Sequence, residues 1–332
     1  MRKILSIVIP MYNSKEFIAK CLDSFLIKND MECVEIIVVN DGSSDGCEKI
    51  ARQYAERYPN SIKVITQENG GHGAAVDKGI KHCTGKYFKV VDADDWIVKE
   101  HLEKFLDTLK KVEESDVIVC GFETYNIQNN GINRIFASME SEIEYFTMSE
   151  LMNKWAQYRK IFTLHGITYK TAFYREYGID LPRNVFYDDA IYITVAASNA
   201  KKICVLDQNL YVYRVGDVNQ SVSNDNRVAR MEHVEKVIQI MCNSYKKKRP
   251  GAGQKYFEYK TCSVITDFLI TAFLRCKQKR VGRKEAKKVL KEISEESKEI
   301  LKKTKKRYLM LMFLSYLHFD DKIFDKLLIR RK

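Results

Sequence analysis

Four short apolar runs punctuate the first hundred residues, and each stops abruptly at a polar, glycine-rich or acidic cluster. "ILSIVI" (4–9) runs into Pro10, Met11, Tyr12 and Asn13, and "VEIIVV" (34–39) into "NDGSSDG" (40–46). "IKVIT" (62–66) runs into "QENGGHG" (67–73), and "KYFKVV" (86–91) into "DADDW" (92–96). Runs this short and this rich in Val and Ile suit strands covered on both faces. Between the first two, "SKEFIAKCLDSFLIK" (14–28) places Phe17, Ile18, Cys21, Leu22 and Phe25 at helical spacing, with Ser14 as the expected N-cap. Helices are also predicted over about 47–58, 74–82 and 99–112, and "DVIVCGF" (116–122) reads as a further strand. Strands alternating with helices predict an α/β fold on a mostly parallel sheet with helices on both faces. Ligands of such sheets bind outside the carboxyl ends of the strands, so the four polar ends point to one crevice.

Past residue 122 the pattern changes. Residues 123–147 are polar and partly alternating, as in a hairpin or meander. A helix is expected near 149–160, another over "DDAIYITVAASN" (188–199), and a strand, turn and strand over "KICVLDQNLYVYR" (202–214). From about residue 226 the chain reads helical, with "KKKRPGAG" (246–253) as a break. The expected organisation is an α/β domain over 1–224, with halves at about 1–122 and 123–224, then a basic helical region over 225–332.

Charge follows the same division. The formal net charge is +12, and residues 246–332 alone hold 26 Lys and Arg against 10 Asp and Glu. The tail carries all of the excess, which separates a binding or catalytic body from a basic attachment region. No nucleic-acid-binding motif accompanies the charge. Nine Cys, an odd number with no CxxC pair, read as buried reduced thiols of a cytosolic protein rather than a disulfide framework or zinc site. The apolar stretch from Ile4 to Ile9 is too short for a leader and lacks a small-residue cleavage site. No run approaches the roughly 20 residues of a membrane span.

The strand ends decide the chemistry. No GxGxxG follows the first strand and no GxxxxGK[ST] occurs, which excludes the dinucleotide-binding and P-loop modes of holding phosphates. A divalent cation on one or two carboxylates, with phosphate oxygens filling its remaining positions, is the other solution. Asp92 and Asp94 fit it, since an Asp-x-Asp at a strand end directs both carboxylates toward one crevice. The plainer alternative is an acidic turn with Asp95 capping the next helix.

"SIVIPMYN", "VVNDGSSDG", "QENGGHGAAVDKGI" and "GKYFKVVDADDW", in this order, resemble the family-2 glycosyltransferases of the GT-A fold. The match is close over about 4–100 and looser over 165–224. The resemblance implies a nucleoside-diphosphate sugar donor, usually of UDP, a divalent metal (Mn²⁺ or Mg²⁺) and inversion at the anomeric carbon. By motif, Pro10, Tyr12 and Asn13 would line the base and ribose pocket, and Asp41 would accept a hydrogen bond from the base. Asn69, Gly70 and Gly71 would shape the loop over the nucleotide. Within Asp92-Ala93-Asp94, Asp92 would contact ribose or metal and Asp94 would ligate the metal. "LPRNVFYDDAIY" (181–192) resembles the motif that carries the general base, with Asp189 assigned to that role and Asp188 kept as an acceptor-side or helix-dipole charge. His165 and Trp96 are further acceptor-side candidates, and Arg214 is a diphosphate partner. One departure stands out: Asp77 occupies a position where the family usually has Asn.

The last 31 residues (302–332) set two basic clusters around an apolar run, with Ile323, Phe324, Leu327 and Leu328 on one helical face. Such a helix suits an anionic membrane surface, and the acceptor implied is a lipid-linked or cell-surface glycan. The expected location is the cytoplasm, peripheral on the inner face of the membrane. Two alternatives remain: a sugar-phosphate nucleotidyltransferase on the same fold, and a non-catalytic nucleotide- or glycan-binding module.

Overall fold

The computed structural model describes residues 3–29, 31–217, 220, 223–246, 251–317 and 319. Two compact units divide the chain, Met1–Asp217 and Val218–Lys332.

In the first unit, β1 (Leu5–Met11) is followed by α1 (Ile18–Asp23), β2 (Val34–Asn40), α2 (Cys47–Arg57), β3 (Ile62–Thr66), α3 (His72–His82) and β4 (Tyr87–Val90). The strands lie side by side as β3-β2-β1-β4, all parallel. Every residue of β1, β2 and β4 is buried, as the unbroken apolar runs require. At the amino ends of these strands the Glu35 carboxylate accepts from the Ser6 hydroxyl and from the Thr84 and Gly85 amides. Burial works against its charge, but these donors outweigh it and hold the carboxyl below its usual range.

Beyond β4 come β5 (Trp96–Ile97), α4 (Lys99–Lys111), β6 (Val117–Asn126), β7 (Gly131–Ile135), β8 (Ile143–Phe146), α5 (Met148–Asn153) and α6 (Trp155–Tyr158). β9 (Ile167–Lys170), α7 (Thr171–Tyr177), α8 (Asp189–Tyr192) and β10 (Ile203–Val215) complete the unit. The sheet continues past β4 as β9-β6-β10-β5. β9 runs antiparallel to β4 and β6, while β10 returns parallel to β6. The outcome is the α/β sheet expected, parallel in its first half and mixed in its second. A cluster of Phe88, Tyr169, Tyr174 and Tyr192 packs where the two halves meet.

Local expectations differ from the structure at four places. The helix foreseen over 14–28 is only α1: its N-cap is Phe17, and the Ser14 hydroxyl donates to the Tyr12 carbonyl instead of capping. Its far end stops where the Ser24 hydroxyl accepts from the Ile97 amide of β5, a tertiary contact that helical spacing does not reveal. Residues 149–160 form two short helices, α5 and α6, rather than one. Residues 188–199 form α8 and a 3₁₀ turn at Ala197–Asn199 rather than one helix. Residues 202–214 form one strand, because β10 absorbs the anticipated turn as register shifts around Asn209 while it stays paired with β6.

The second unit is helical: α9 (Asn224–Ala229), α10 (Met231–Lys246), α11 (Ala252–Ile270) with a π turn at Thr271–Arg275, α12 (Lys279–Glu296) and α13 (Lys298–Tyr316). Ile265, Phe268, Phe273, Val289, Ile293, Ile300 and Leu311 form its core. Each such side chain contributes about 1.5–3 kcal/mol through removal from water. All nine cysteines are free and buried. Among the described residues, no helix is long and apolar enough to cross a membrane.

Candidate active site

β4 ends at Val90, and the chain turns at once: the Asp95 amide donates to the Asp92 carbonyl at 3.0 Å. Tyr211 of β10 holds this turn from the side. Its phenol oxygen accepts from the Asp92 amide and its hydroxyl donates to the Asp95 carboxylate. The other Asp95 oxygen accepts from the Arg214 amide at 2.8 Å. Asp95 therefore does not cap α4, whose N-cap is Val98 without a side-chain bond; it fastens the turn to β10. Burial, then the charges of Asp94 and Asp92, keep its carboxyl well above the usual carboxylate range. With Asp95 tied back and Ala93 buried, Asp92 and Asp94 remain the partly exposed acids of the turn.

α3 brings a third participant. His72 Nδ1 lies 2.9 Å from Asp188 Oδ2, and its Nε2 lies 3.0 Å from Asp92 Oδ1. A ring that donates through both nitrogens is an imidazolium. Burial opposes that charge, but Asp188 first and Asp92 second outweigh it, so the pKa stands well above the ordinary histidine value. For Asp92 itself, burial pushes up and the bond from His72 more than compensates, leaving the carboxyl lowered. His72 is thus a bridge between the β4 turn and the segment that carries Asp188 and Asp189. The only sequence signal for this bridging histidine is the "GGHG" run.

The loop before α3 is built to deliver that histidine. The Asp41 carboxylate, 2 % exposed, accepts from the Gly70 amide, the Gly71 amide and the Gln67 side chain, each at 2.8 Å. A carboxylate offers about four acceptor sites, so the residue assigned to the nucleotide base spends most of its capacity on its own loop. Gly71 takes φ +82°, and a Cβ there would stand 2.9 Å from the Asn184 nitrogen. Only glycine combines that backbone with that approach. The Asn184 amide in turn donates to the Gly70 carbonyl at 2.7 Å.

The two adjacent acids of 188–189 face different surroundings. Tyr187 just before them has φ +66°, a strained value for a bulky residue. Asp188, the N-cap of α8, is only 4 % exposed at its side chain, and its carboxylate is held on His72 rather than on a capping bond. Asp189 opens α8 and faces solvent. Desolvation by the surrounding protein, then the Asp188 charge, raise it to about 6. Asp77, the departure from the family pattern, accepts from the Leu181 amide at 2.6 Å at the start of this same segment. Burial is the main reason its carboxyl is raised to about 7.

Other expected site residues fall into separate groups. Pro10 is buried within β1 opposite Val39, while Tyr12 is half exposed. Asn13 ties the first two strand ends together: its side-chain oxygen accepts from the Ser44 amide and its amide donates to the Ser43 hydroxyl. Asn69 is exposed on the glycine loop. Trp96 lies under the Lys20 ammonium, 3.1 Å from the ring centroid, and meets Tyr125 edge-on. The Arg214 guanidinium bonds Asp217 at 2.9 Å and lies over Phe17. His165 stacks on Tyr213 with centroids 4.2 Å apart. Burial, aided by the nearby Lys89 ammonium and resisted by Asp92, pushes it down to about 4. It is a neutral ring in an aromatic wall.

Among the described residues, no group of three or more His, Cys, Asp or Glu forms a metal cage. Asp92 and Asp94 alone do fit a hard cation that completes its shell with diphosphate oxygens. Burial, then the charge of Asp92, raise Asp94 to about 6, a repulsion that a bound cation would relieve.

Residues 6–178 match the family model described as "Glycosyl transferase family 2". EpsJ of Bacillus subtilis (strain 168), an uncharacterized glycosyltransferase, is 30% identical over 253 residues, which is 74% of this chain and 70% of EpsJ. The chain belongs to glycosyltransferase family 2 and is a glycosyltransferase. Its fold is that of S. aureus TarS 1–349, solved in complex with UDP-GlcNAc, with TM-score 0.68 and 20% identity over 95% of this chain and 92% of that one. The mannosyltransferase PcManGT of Pyrobaculum calidifontis, solved with GDP-Man and Mn²⁺, aligns with TM-score 0.53 at 15% identity over 96% and 88% of the two chains.

Proposed function

We propose that this glycosyltransferase moves a sugar, with inversion, from a UDP-sugar to a hydroxyl of a lipid-linked or cell-surface glycan at the cytoplasmic face of a membrane. The observation that carries this reading is the division of labour between neighbouring acids. Asp188 is committed to His72, whereas Asp189 faces solvent and is raised to about 6, close to what a general base needs at neutral pH. Asp189 takes the proton from the attacking hydroxyl. The new bond to the anomeric carbon forms as the bond to the diphosphate breaks, and the leaving oxygen keeps the electron pair. A divalent cation on Asp92 and Asp94, when bound, supplies positive charge for the diphosphate. His72 fixes the Asp92 carboxylate and, through Asp188, the position of the base. UDP is favoured by the UDP-GlcNAc complex of TarS, and a divalent ion by the Mn²⁺ of PcManGT.

Release of nucleoside diphosphate from a panel of nucleotide sugars, with and without Mn²⁺, tests this. Unchanged turnover in both Asp94→Ala and Asp189→Asn would remove the assignment. Release of pyrophosphate from a nucleoside triphosphate and a sugar phosphate would mean a nucleotidyltransferase instead. The membrane part of this reading drew on residues 302–332, of which Ile323, Phe324, Leu327 and Leu328 lie outside the described residues.

A further inference from the structure

α13 buries one stripe, Ile300, Thr304, Leu311 and Ser315, in the core of the helical unit. Its opposite face changes character along its length. Over the first half that face presents Lys302, Lys305 and Lys306, all exposed. Over the second half it presents Leu309, Met310, Phe313, Tyr316 and Leu317, between 48 % and 62 % exposed. At 100° per residue these side chains share a sector of about 140°, and they extend about 22 Å along the axis. Residues 302–317 contain five Lys and Arg and no Asp or Glu. Arg283 of α12 adds a cation beside the apolar half, its guanidinium 4.5 Å from the Tyr316 ring centroid. None of these outer side chains belongs to the core of the unit, and a contiguous exposed apolar patch marks an interaction surface.

We propose that this outward face of α13 docks on an anionic lipid bilayer, with Leu309, Met310, Phe313 and Leu317 entering the acyl boundary and Lys302, Lys305 and Lys306 on the headgroups. This deepens the membrane part of the proposed function and rests on it. The charge gradient selects the occupant. A bilayer sets a plane of negative charge above an apolar layer, and a helix that is basic at one end and apolar at the other matches it when its carboxyl-terminal end dips inward. Lysine stems reach up to the headgroup level and an aromatic such as Tyr316 sits at the boundary. A second copy packed here would set lysines against lysines if parallel, or lysines against apolar side chains if antiparallel.

The test is co-sedimentation of the full chain with vesicles of phosphatidylglycerol and phosphatidylcholine, against vesicles of phosphatidylcholine alone. Binding is expected only to the anionic vesicles and should weaken with salt. Lys302→Glu with Lys306→Glu, and separately Leu309→Ser with Phe313→Ser, should each weaken it by about tenfold or more. Phe313→Trp should keep binding and shift its fluorescence to the blue when anionic vesicles are added. Thermal unfolding of each variant checks that the helices remain intact. Three results overturn the proposal: no binding of the parent chain to anionic vesicles; binding lost only on deletion of 318–332 and not in the α13 variants; or a dimer in sedimentation that Phe313→Ser dissolves, without vesicle binding. Asp94→Ala should bind vesicles normally, and the α13 variants should hydrolyse soluble donor normally, so the failure of the catalytic reading and the failure of this one show separately.

Discussion

The two units treat charge in opposite ways. In Met1–Asp217 the acids that matter are few, close together and held at fixed positions: Asp41 by loop amides, Asp92 and Asp188 by one imidazolium, Asp95 by Tyr211 and the β10 backbone. In Val218–Lys332 charge is abundant and lies mostly on outward helix faces. Ion pairs such as Lys288 with Glu235 or Lys303 with Glu258 set an exposed lysine on a buried acid. The basic unit dominates the net charge, yet the carboxylates with displaced pKa values at a common site belong to the nearly neutral one. Composition locates a surface; displaced pKa values arise where charges crowd one another.

If that contrast holds, the largest loss should come from Asp189→Asn. Transfer should fall by about 10²- to 10⁴-fold, while the donor still raises the melting temperature, which separates loss of the base from loss of binding. Leu311→Ala should do the reverse. It should cost about 2–5 kcal/mol of stability through the cavity it leaves, seen in denaturant unfolding, with donor hydrolysis unchanged at temperatures where the chain is folded. His72→Ala should lower transfer by about 10- to 100-fold, as loss of a residue that orients ligating side chains does. His72→Gln, which keeps one polar contact, should recover part of kcat, a recovery that a packing role alone would not give.

Smaller effects should sharpen the picture. The Asp189 carboxyl is raised to about 6, so if it is the proposed base, kcat/KM should fall about tenfold per pH unit below that value and level off above it. A pH profile that stays flat between 5 and 7 would separate Asp189 from the rate. Asp77 offers a stability test with a definite sign. Its folded carboxyl is raised to about 7, above the unfolded value near 3.9, so the native state holds the proton longer. Stability from this group is full below about pH 4 and is lost as pH rises through about 7. Asp77→Asn keeps an acceptor for the Leu181 amide and carries no charge. It should therefore match the parent at pH 4 and exceed it at pH 8 by about 1–3 kcal/mol.

What could be read in advance follows from the range of the forces involved. The strands β1 to β4 and the helices α2 to α4 lie where apolar runs and helical spacing place them, because burial on both faces leaves a mark at every position of a strand. The motif at 92–95 was visible for the same reason: an apolar run cannot continue through three carboxylates. Roles within that motif were not visible. Asp95 had a cap as its plainest reading, and only the arrival of β10, more than a hundred residues later, makes it a partner of Tyr211 and of the Arg214 amide. The same holds for the short α1 and for the unbroken β10, each decided by a contact with another element.

By itself, then, the sequence determined the α/β sheet, its polar edge, and where a basic, helical region follows it. Tertiary structure decided the surroundings of each acid at that edge. Asp188 and Asp189 are chemically identical neighbours, and nothing local distinguishes them. His72, 116 positions before Asp188, takes one and leaves the other to solvent. A carboxylate's protonation and aim depend on which charges and donors stand within a few ångströms, and folding alone sets those distances.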